Sequence, residues 1–144
     1  MNTDRALVLR FLQGGGQPLA LDNPLGSELA GMILELDTER GGARLAFTPE
    51  ARFLQGAQML QGGIGAAMLD FAMAFAAYAV LDQQSFASAS LNVHLLRPAG
   101  PGRYIASGRI VRKGRRLVFA TAELASDDGQ LVATGSSVLS LVEP

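Results

Sequence analysis

The chain of 144 residues contains no cysteine, and His94 is its only histidine. Without cysteine there is no disulfide framework, no thiolate nucleophile and no cysteine-ligated metal site. A single histidine gives little support to a zinc centre or a Ser-His-Asp triad, and the alternation around His94 predicts a strand residue on a polar face. The composition therefore disfavours a metal site. The glycine-rich segment 61–65 lacks the spacing of a P-loop or a dinucleotide fingerprint, so we expect no cofactor.

Charged residues are also few, at 17%, whereas hydrophobic residues make up 49% of the chain and glycines number 17. This composition is typical of a compact globular protein and argues against disorder. The length favours one domain, residues 1–144, in which residues 1–29 form an N-terminal helix and an extended segment. Because the start of the chain carries Asp4 and lacks an apolar core of signal-peptide length, we expect a cytoplasmic protein.

The basic residues are distributed unevenly. Residues 97–116 contain no acidic side chain and seven basic ones, namely Arg97, Arg103, Arg109, Arg112, Lys113, Arg115 and Arg116. Two interpretations stay open: a solvated face on two strands and their turn, or a site for a phosphate-bearing ligand. A nucleic-acid interface is disfavoured, because the formal net charge is -1 and only Tyr104 and Phe119 supply aromatic rings nearby.

Hydrophobic periodicity predicts two strands, a long helix and then four further strands in an antiparallel meander. The predicted elements are a short helix (4–13), a hairpin (32–39 and 43–48), the long helix (62–81) and strands at 85–95, 103–112, 117–125 and 131–142. Within the first of these four strands, Ser88, Ser90, Asn92 and His94 alternate with apolar residues. The pattern is typical of an α+β domain with a sheet against a single buried helix.

The long helix is apolar on all sides and carries one charge, Asp70. It is long enough to span a membrane, but a carboxylate near mid-span would cost about 2.5–3.5 kcal/mol, so we expect enclosure by protein and no membrane partner. A buried charge is costly unless it is paired or active. Asp70 is therefore either a general base or nucleophile, or a structural group that pairs with an arginine or caps backbone amides.

The start of the same helix supplies a second candidate element. Gly62 and Gly63 have no side chains to block approach, and free amides at a helix N-terminus can stabilise a developing oxyanion. Gly62 and Asp70 lie about 12 Å apart along a helix, too far for one small carbonyl group to contact both. If both act in one reaction, two helices lie antiparallel and each site is shared by two chains. The function then implies a two-fold homodimer.

The segment from Gln61 to Asp70 (Gln-Gly-Gly-Ile-Gly-Ala-Ala-Met-Leu-Asp) resembles the His-Gly-Gly…Asp signature of the hotdog-fold acyl-CoA thioesterases of the phenylacetate-degradation and 4-hydroxybenzoyl-CoA type. Residues 91–99 and 112–115 are similar to that family's strand and turn segments, and the resemblance covers residues 30–142. It implies a curved antiparallel sheet wrapped around one long central helix, with a short N-terminal helix. It also implies that dimers pair into a homotetramer.

The resemblance implies roles for single residues. The Gly62 amide polarises the thioester carbonyl, Asp70 acts as base or nucleophile, Gln55 positions the substrate and Ser88 orients water. The remaining candidates for substrate binding are Gln61, Gly63, Arg112, Lys113 and Arg115, the last three through the phosphates of CoA. The sequence therefore predicts an acyl-CoA thioesterase.

One position departs from the family signature, because Gln61 stands where the family has histidine. Glutamine can form hydrogen bonds but cannot titrate. A non-catalytic protein that binds or senses acyl-CoA on the same fold is therefore the alternative. Methionine and phenylalanine on and beside the long helix are candidates for an acyl pocket or for plain core, namely Met59, Met68, Phe71, Met73, Phe75 and Phe86.

Overall fold

A computed structural model describes residues 2–82 and 85–142. The helices are α1 (Thr3–Gln13), α2 (Pro24–Glu28) and α3 (Gly62–Val80), with a short 3-10 turn at Ala51–Phe53. The strands are β1 (Leu19–Ala20), β2 (Met32–Asp37), β3 (Gly42–Phe47), β4 (Ser85–Leu95), β5 (Tyr104–Lys113), β6 (Leu117–Ser126) and β7 (Leu131–Val142). All seven strands form one antiparallel sheet in the order β1-β2-β3-β5-β6-β7-β4.

The curved sheet wraps around α3, which is the hotdog fold that the resemblance implies. The helix buries a continuous apolar face that includes Met68, Leu69, Ala72 and Phe75, all with no exposed surface. By length and composition α3 could cross a membrane, but half of its most apolar window is buried inside the protein, as in a core helix. Its many alanines keep it thin, so strands on one side can approach its backbone.

The helix and the sheet approach each other closely at Gly108 in β5. A Cβ atom built on Gly108 would lie 2.3 Å from the carbonyl oxygen of Ala72 and 2.9 Å from the backbone nitrogen of Met73. These are main-chain atoms in the middle of α3, so no change of rotamer can relieve such a contact. Gly108 therefore sets the distance at which α3 packs on the sheet.

The C-terminal end of α3 is held by α1. Asn2 caps α1 by accepting from the N–H groups of Asp4 and Arg5, and its Nδ2 donates to the Tyr78 hydroxyl at 2.8 Å. Arg5 donates through Nη1 to the carbonyl of Leu81 at 2.7 Å, and its guanidinium lies 5.2 Å from the centre of the Tyr78 ring. These contacts fix the last turn of α3 against the N-terminal helix.

The strand order corrects the predicted four-stranded meander. β5, β6 and β7 do form a meander, but β4 pairs with β7 at the far edge of the sheet and does not pair with β5. Because α3 crosses the face of the sheet, the strand that follows it enters at the edge remote from β3. Residues 96–103 then carry the chain back, and β5 fills the place beside β3.

A bulge in β4 changes which of its side chains face α3. The pairing with β7 shifts between Ser88 and Ser90, so that Ser88 lies opposite Leu139 and Leu91 lies opposite Ser137. Leu139 and Ser137 are both buried, so Ser88 and Leu91 face the helix although they are an odd number of residues apart. The Ser137 hydroxyl donates to the carbonyl of Ser90 at 2.8 Å, which stabilises the bulge.

We expect Gly108→Ala to lower the free energy of unfolding by about 3 kcal/mol, because the added methyl group meets the backbone of α3. Gly100→Ala is the control, since a Cβ there would meet no atom within 4 Å, and its stability should stay within about 0.5 kcal/mol of wild type. Urea denaturation measures both. Equal stability of the two variants would contradict the role given to Gly108.

Candidate functional site

The start of α3 lacks a side-chain cap. Its N-cap residue is Gln61, whose side chain makes no capping hydrogen bond, while the Gln61 carbonyl accepts from the N–H groups of Ile64 and Gly65. Within the described residues, the N–H groups of Gly62 and Gly63 donate to no acceptor. The first turn therefore presents two free donors at the positive end of the helix dipole.

This first turn borders a chamber of about 440 Å³. The polar residues of its lining include Gln55, Gln61 and Arg97. The apolar part of the lining is Met59, Leu60, Leu95, Leu96, Pro98, Ala99, Leu124 and Val132, together with Gly62 and Gly65. Mainly apolar walls with a few polar groups are typical of a small-molecule site.

Gln55 reaches this chamber from a tight loop before α3. Its N–H donates to the Met59 carbonyl at 2.7 Å, and its carbonyl accepts from Gln58, which has a φ of 62°. The side-chain oxygen of Gln55 accepts from the N–H of Ala57. Because the loop occupies that oxygen, the carboxamide of Gln55 can serve a ligand as a hydrogen-bond donor.

Asp70 lies about two turns further along α3 and forms a pair with Ser88. The Ser88 hydroxyl donates to Oδ1 of Asp70 at 3.0 Å. Asp70 is partly buried, and no lysine or arginine among residues 2–82 and 85–142 forms an ion pair with it. The carboxylate therefore keeps acceptor capacity for a water molecule or a ligand.

One chain assembles the predicted catalytic residues into two separate groups. Gln55, Gln61 and Gly62 line the chamber, and Asp70 with Ser88 lies outside its lining. Gly62 and Asp70 remain about 12 Å apart along the helix axis. The two groups cannot act on one carbonyl carbon within a single chain.

Apart from Arg109 in the middle of β5, the basic block of residues 97–116 is divided between the two ends of the sheet. Arg97 and Arg103 lie at the chamber end of the sheet, where Arg97 donates to Gln130 at 2.6 Å and Arg103 is 3.6 Å from Asp127. The other end of β5 carries Arg112 and Lys113, followed by Arg115 and Arg116 in the turn, and all four are exposed. Lys113 Nζ lies 3.4 Å from the Val80 carbonyl, which puts this second group beside the C-terminus of α3.

Most of the chamber wall was not predicted from the sequence. Of the candidate methionine and phenylalanine residues, Met59 lines the chamber. Met68, Met73 and Phe75 are fully buried core, while Phe71 packs on Phe47 and Phe86 on Tyr78. Four leucines are among the residues of the wall, and the adjacent Leu95 and Leu96 at the end of a predicted strand were the available signal in the sequence.

A second concavity, of about 460 Å³, lies on the face of the sheet that points away from α3. Its lining is polar and includes His94, Arg109, Glu123, Thr134 and Ser136. His94 is exposed and lies opposite Thr134, in agreement with its predicted place on a polar strand face. None of the predicted site residues lies in this concavity.

Comparison with known proteins identifies the family. The model of the thioesterase superfamily matches residues 58–133, which is more than half of the chain. The matched segment contains α3 and the strands β4 to β6. It therefore includes both the free amides at the start of α3 and the carboxylate of Asp70.

Solved structures agree with this match. A phenylacetic acid degradation-related protein from Ralstonia eutropha JMP134 is 31% identical with a TM-score of 0.83, over 94% of this chain and 99% of that chain. A variant of the phenylacetic acid degradation protein PaaI from Thermus thermophilus is 27% identical with a TM-score of 0.74, over 82% and 98% of the two chains. A thioesterase from Haemophilus influenzae shares the fold. It is 20% identical with a TM-score of 0.78, over 92% of this chain and 90% of that chain. The chain therefore belongs to the thioesterase superfamily, as a hotdog-fold hydrolase of the thioester-cleaving class.

Proposed function

We propose that this protein is an acyl-CoA thioesterase in which Asp70 acts as general base or nucleophile and the Gly62 amide holds the oxyanion. One observation carries the proposal: the uncapped start of α3 borders an apolar chamber. Donors suited to a developing oxyanion thus adjoin a space suited to an acyl group. The names of the similar proteins from Ralstonia and Thermus, which refer to phenylacetic acid degradation, fit an acyl-CoA substrate.

The proposed hydrolysis follows a balanced sequence of bond changes. With Asp70 as base, its carboxylate takes a proton from water while the water oxygen bonds to the thioester carbon. The C=O electron pair moves to oxygen, where the Gly62 N–H stabilises the negative charge. Collapse of this intermediate restores the carbonyl and breaks the C–S bond, and the leaving thiolate takes the proton from Asp70. The products are a carboxylic acid and the CoA thiol.

The alternative with Asp70 as nucleophile uses the same groups. Its carboxylate oxygen bonds to the thioester carbon and the C–S bond breaks, which gives an acyl-aspartyl anhydride and the CoA thiolate. Water then attacks the acyl carbon of the anhydride and its bond to the Asp70 oxygen breaks, which gives the carboxylic acid and the Asp70 carboxylate, while the second proton of water passes to the CoA thiolate. In both versions Gln61 takes no proton, because its carboxamide does not titrate, and Ser88 acts as a positioning residue through its hydrogen bond to Asp70.

The proposal requires a second copy of the chain. β4 forms one edge of the sheet, and its outer side has no partner strand in the part of the chain that the structure describes. Most of its side chains are exposed, including Leu91 and Leu95 at 41% and 57%. A long unpaired edge is a template for another strand, and two-fold pairing of β4 with β4 would run the two α3 helices antiparallel.

An antiparallel pair of helices would supply the groups that one chain leaves apart. The Gly62 amide of one chain would meet the carboxylate of the partner's Asp70. The partner's exposed Arg112, Lys113 and Arg115, near the C-terminal end of its α3, would come toward the same site and contact the CoA phosphates. Pairing of two such dimers into a homotetramer, as the family resemblance implies, completes the proposed assembly.

Asp70→Asn should lower kcat by about 100-fold to 10,000-fold, because an amide can act neither as base nor as nucleophile. The amide oxygen can still accept from Ser88, so the fold should persist, as judged by circular dichroism and thermal unfolding. Turnover is measured as free CoA thiol released from aryl, short-chain and long-chain acyl-CoAs.

Glu123→Gln is the control for Asp70→Asn, since it removes an exposed carboxylate from the opposite face of the sheet. Its turnover should equal that of wild type. Full activity of Asp70→Asn would exclude the mechanism. A wild-type protein that binds these acyl-CoAs and releases no CoA would favour the binding or sensing alternative.

Gly62→Pro should lower kcat by about 100-fold to 1,000-fold, the size expected for loss of one oxyanion donor. Proline has no N–H, is favoured at the first position of a helix and suits the extended conformation of Gln61, at φ -61° and ψ 131°. Gly62→Ala is the matched control, because it keeps the N–H and adds a Cβ at the same place as proline does. That Cβ would lie 2.8 Å from Cδ1 of Leu95 in both variants, so the exposed Leu95 side chain must shift equally in the two. Equal rates for the two variants would contradict a role for the amide.

Mixing Asp70→Asn chains with Gly62→Pro chains tests whether the site is shared. Each homodimer lacks one group at both sites, whereas a mixed dimer regains one site with an intact amide from one chain and an intact carboxylate from the other. Random mixing of equal amounts should restore about a quarter of wild-type activity. If differently tagged chains form mixed dimers and no activity returns, the proposed shared site is wrong.

A further inference from the structure

We propose, on the basis of the acyl-CoA thioesterase function above, that Leu95 and Gly65 together set the length of the acyl group that the chamber accepts. The preferred substrates would then carry uncharged, apolar acyl groups whose length is limited by the chamber of about 440 Å³.

Leu95 lies across the first turn of α3. It is the last residue of β4 and one of the residues that line the chamber. A Cβ built on Gly62 would be 2.8 Å from Cδ1 of Leu95, and one built on Gly65 would be 3.6 Å from its Cδ2. The branched end of Leu95 therefore stands beside the amide that holds the oxyanion, at the point where an acyl chain would enter.

Leu95 forms a boundary of the chamber and is not part of the packed core. Its side chain is 57% exposed, so other side chains of the same chain do not pack around it on all sides. Replacement of Leu95 by a smaller residue enlarges the chamber and leaves the buried face of α3 unchanged. This separates the effect of Leu95 on chamber size from the stability of the fold.

Gly65 forms the opposite wall, on α3 itself. It is buried, and a Cβ there would lie 3.6 Å from Leu95, 3.8 Å from Leu124 and 3.8 Å from Leu60, each time to a methyl carbon of the leucine. These are ordinary contact distances, so alanine would fit. Because glycine weakens a helix relative to alanine, a glycine that packing does not require points to a need for open space.

The chemistry of the wall favours an uncharged acyl group. Among the described residues that line the chamber, Arg97 is the only charged one. Its side chain is exposed and donates to Oε1 of Gln130 in the turn between β6 and β7. The leucine and valine side chains around Gly65 offer no hydrogen bond, so a carboxylate or hydroxyl at the far end of the acyl group would lose its water contacts.

The test compares kcat/KM for straight-chain acyl-CoAs whose acyl groups have about four to sixteen carbons. Each methylene group that gains or loses contact with apolar side chains of the chamber should change binding about fourfold. Leu95→Ala should move the optimum about two to three carbons longer, because it removes about three wall carbons. Gly65→Ala should move it about one carbon shorter. Leu131→Ala removes the same atoms from an exposed leucine outside the chamber, and its optimum should match that of wild type.

Opposite shifts for Leu95→Ala and Gly65→Ala support the proposal. A uniform change at all acyl lengths would show that these residues act on the fold or on the dimer, and would overturn it. If wild-type protein releases no CoA from any substrate, the proposed function fails, and the affinities of S-alkyl-CoA thioethers of the same lengths are measured by calorimetry. Opposite shifts in the thioether length that binds most tightly would support the role of Leu95 and Gly65 in setting acyl length. Affinities unchanged from wild type would overturn that role.

Discussion

The contact between the backbone of α3 and Gly108 of β5 determines how the rest of the molecule is arranged. With main-chain atoms of Ala72 and Met73 lying where a side chain at Gly108 would be, the helix packs on the strand without intervening side chains. The sheet must then curve around a thin helix, and its buried side chains fill the space on both sides of this contact. The height of α3 above the sheet also fixes the position of its first turn above Leu124 and Val132, so the depth of the chamber follows from the same contact.

A helix that is packed along its middle and its far end can remain folded although the N–H groups of its first turn are unpaired. Two unpaired N–H groups and two glycines at a helix start are unfavourable by themselves. Here the far end of α3 is fixed by Asn2, Arg5 and Tyr78, and the middle is buried against β5. Packing of the apolar face, rather than capping, therefore stabilises α3, which leaves its first turn available to a ligand.

The α+β class and the strand positions could be predicted largely from local pattern, whereas the hotdog fold was implied by the family resemblance of residues 61–70. Period-two alternation located β2 to β7 to within two residues, and the apolar run located α3 from Gly62 to within one residue of its end at Val80. The edge position of β4 could not be predicted, because strand order depends on where α3 leaves the face of the sheet. The place of Ser88 also escaped simple alternation, which groups it with Ser90 and His94. The spacing of Phe86 and Leu91 is an apolar signal of the bulge, since Phe86 packs on the core and Leu91 lies opposite the buried Ser137 although the two are five residues apart.

The sequence by itself determined the chemical types: one carboxylate in an apolar helix, glycines at its start, and no cysteine or metal-binding pattern. It also determined that Gly62 and Asp70 lie too far apart to share a carbonyl group within a chain, because the rise of an α-helix is fixed. Only the tertiary structure decided that Ser88 contacts Asp70, that Leu95 lies over the first turn of α3, and that the basic block is split between two ends of the sheet. These facts depend on a β-bulge and on strand order. Both are set by how α3 and the sheet pack over the whole chain, which no local run of residues encodes.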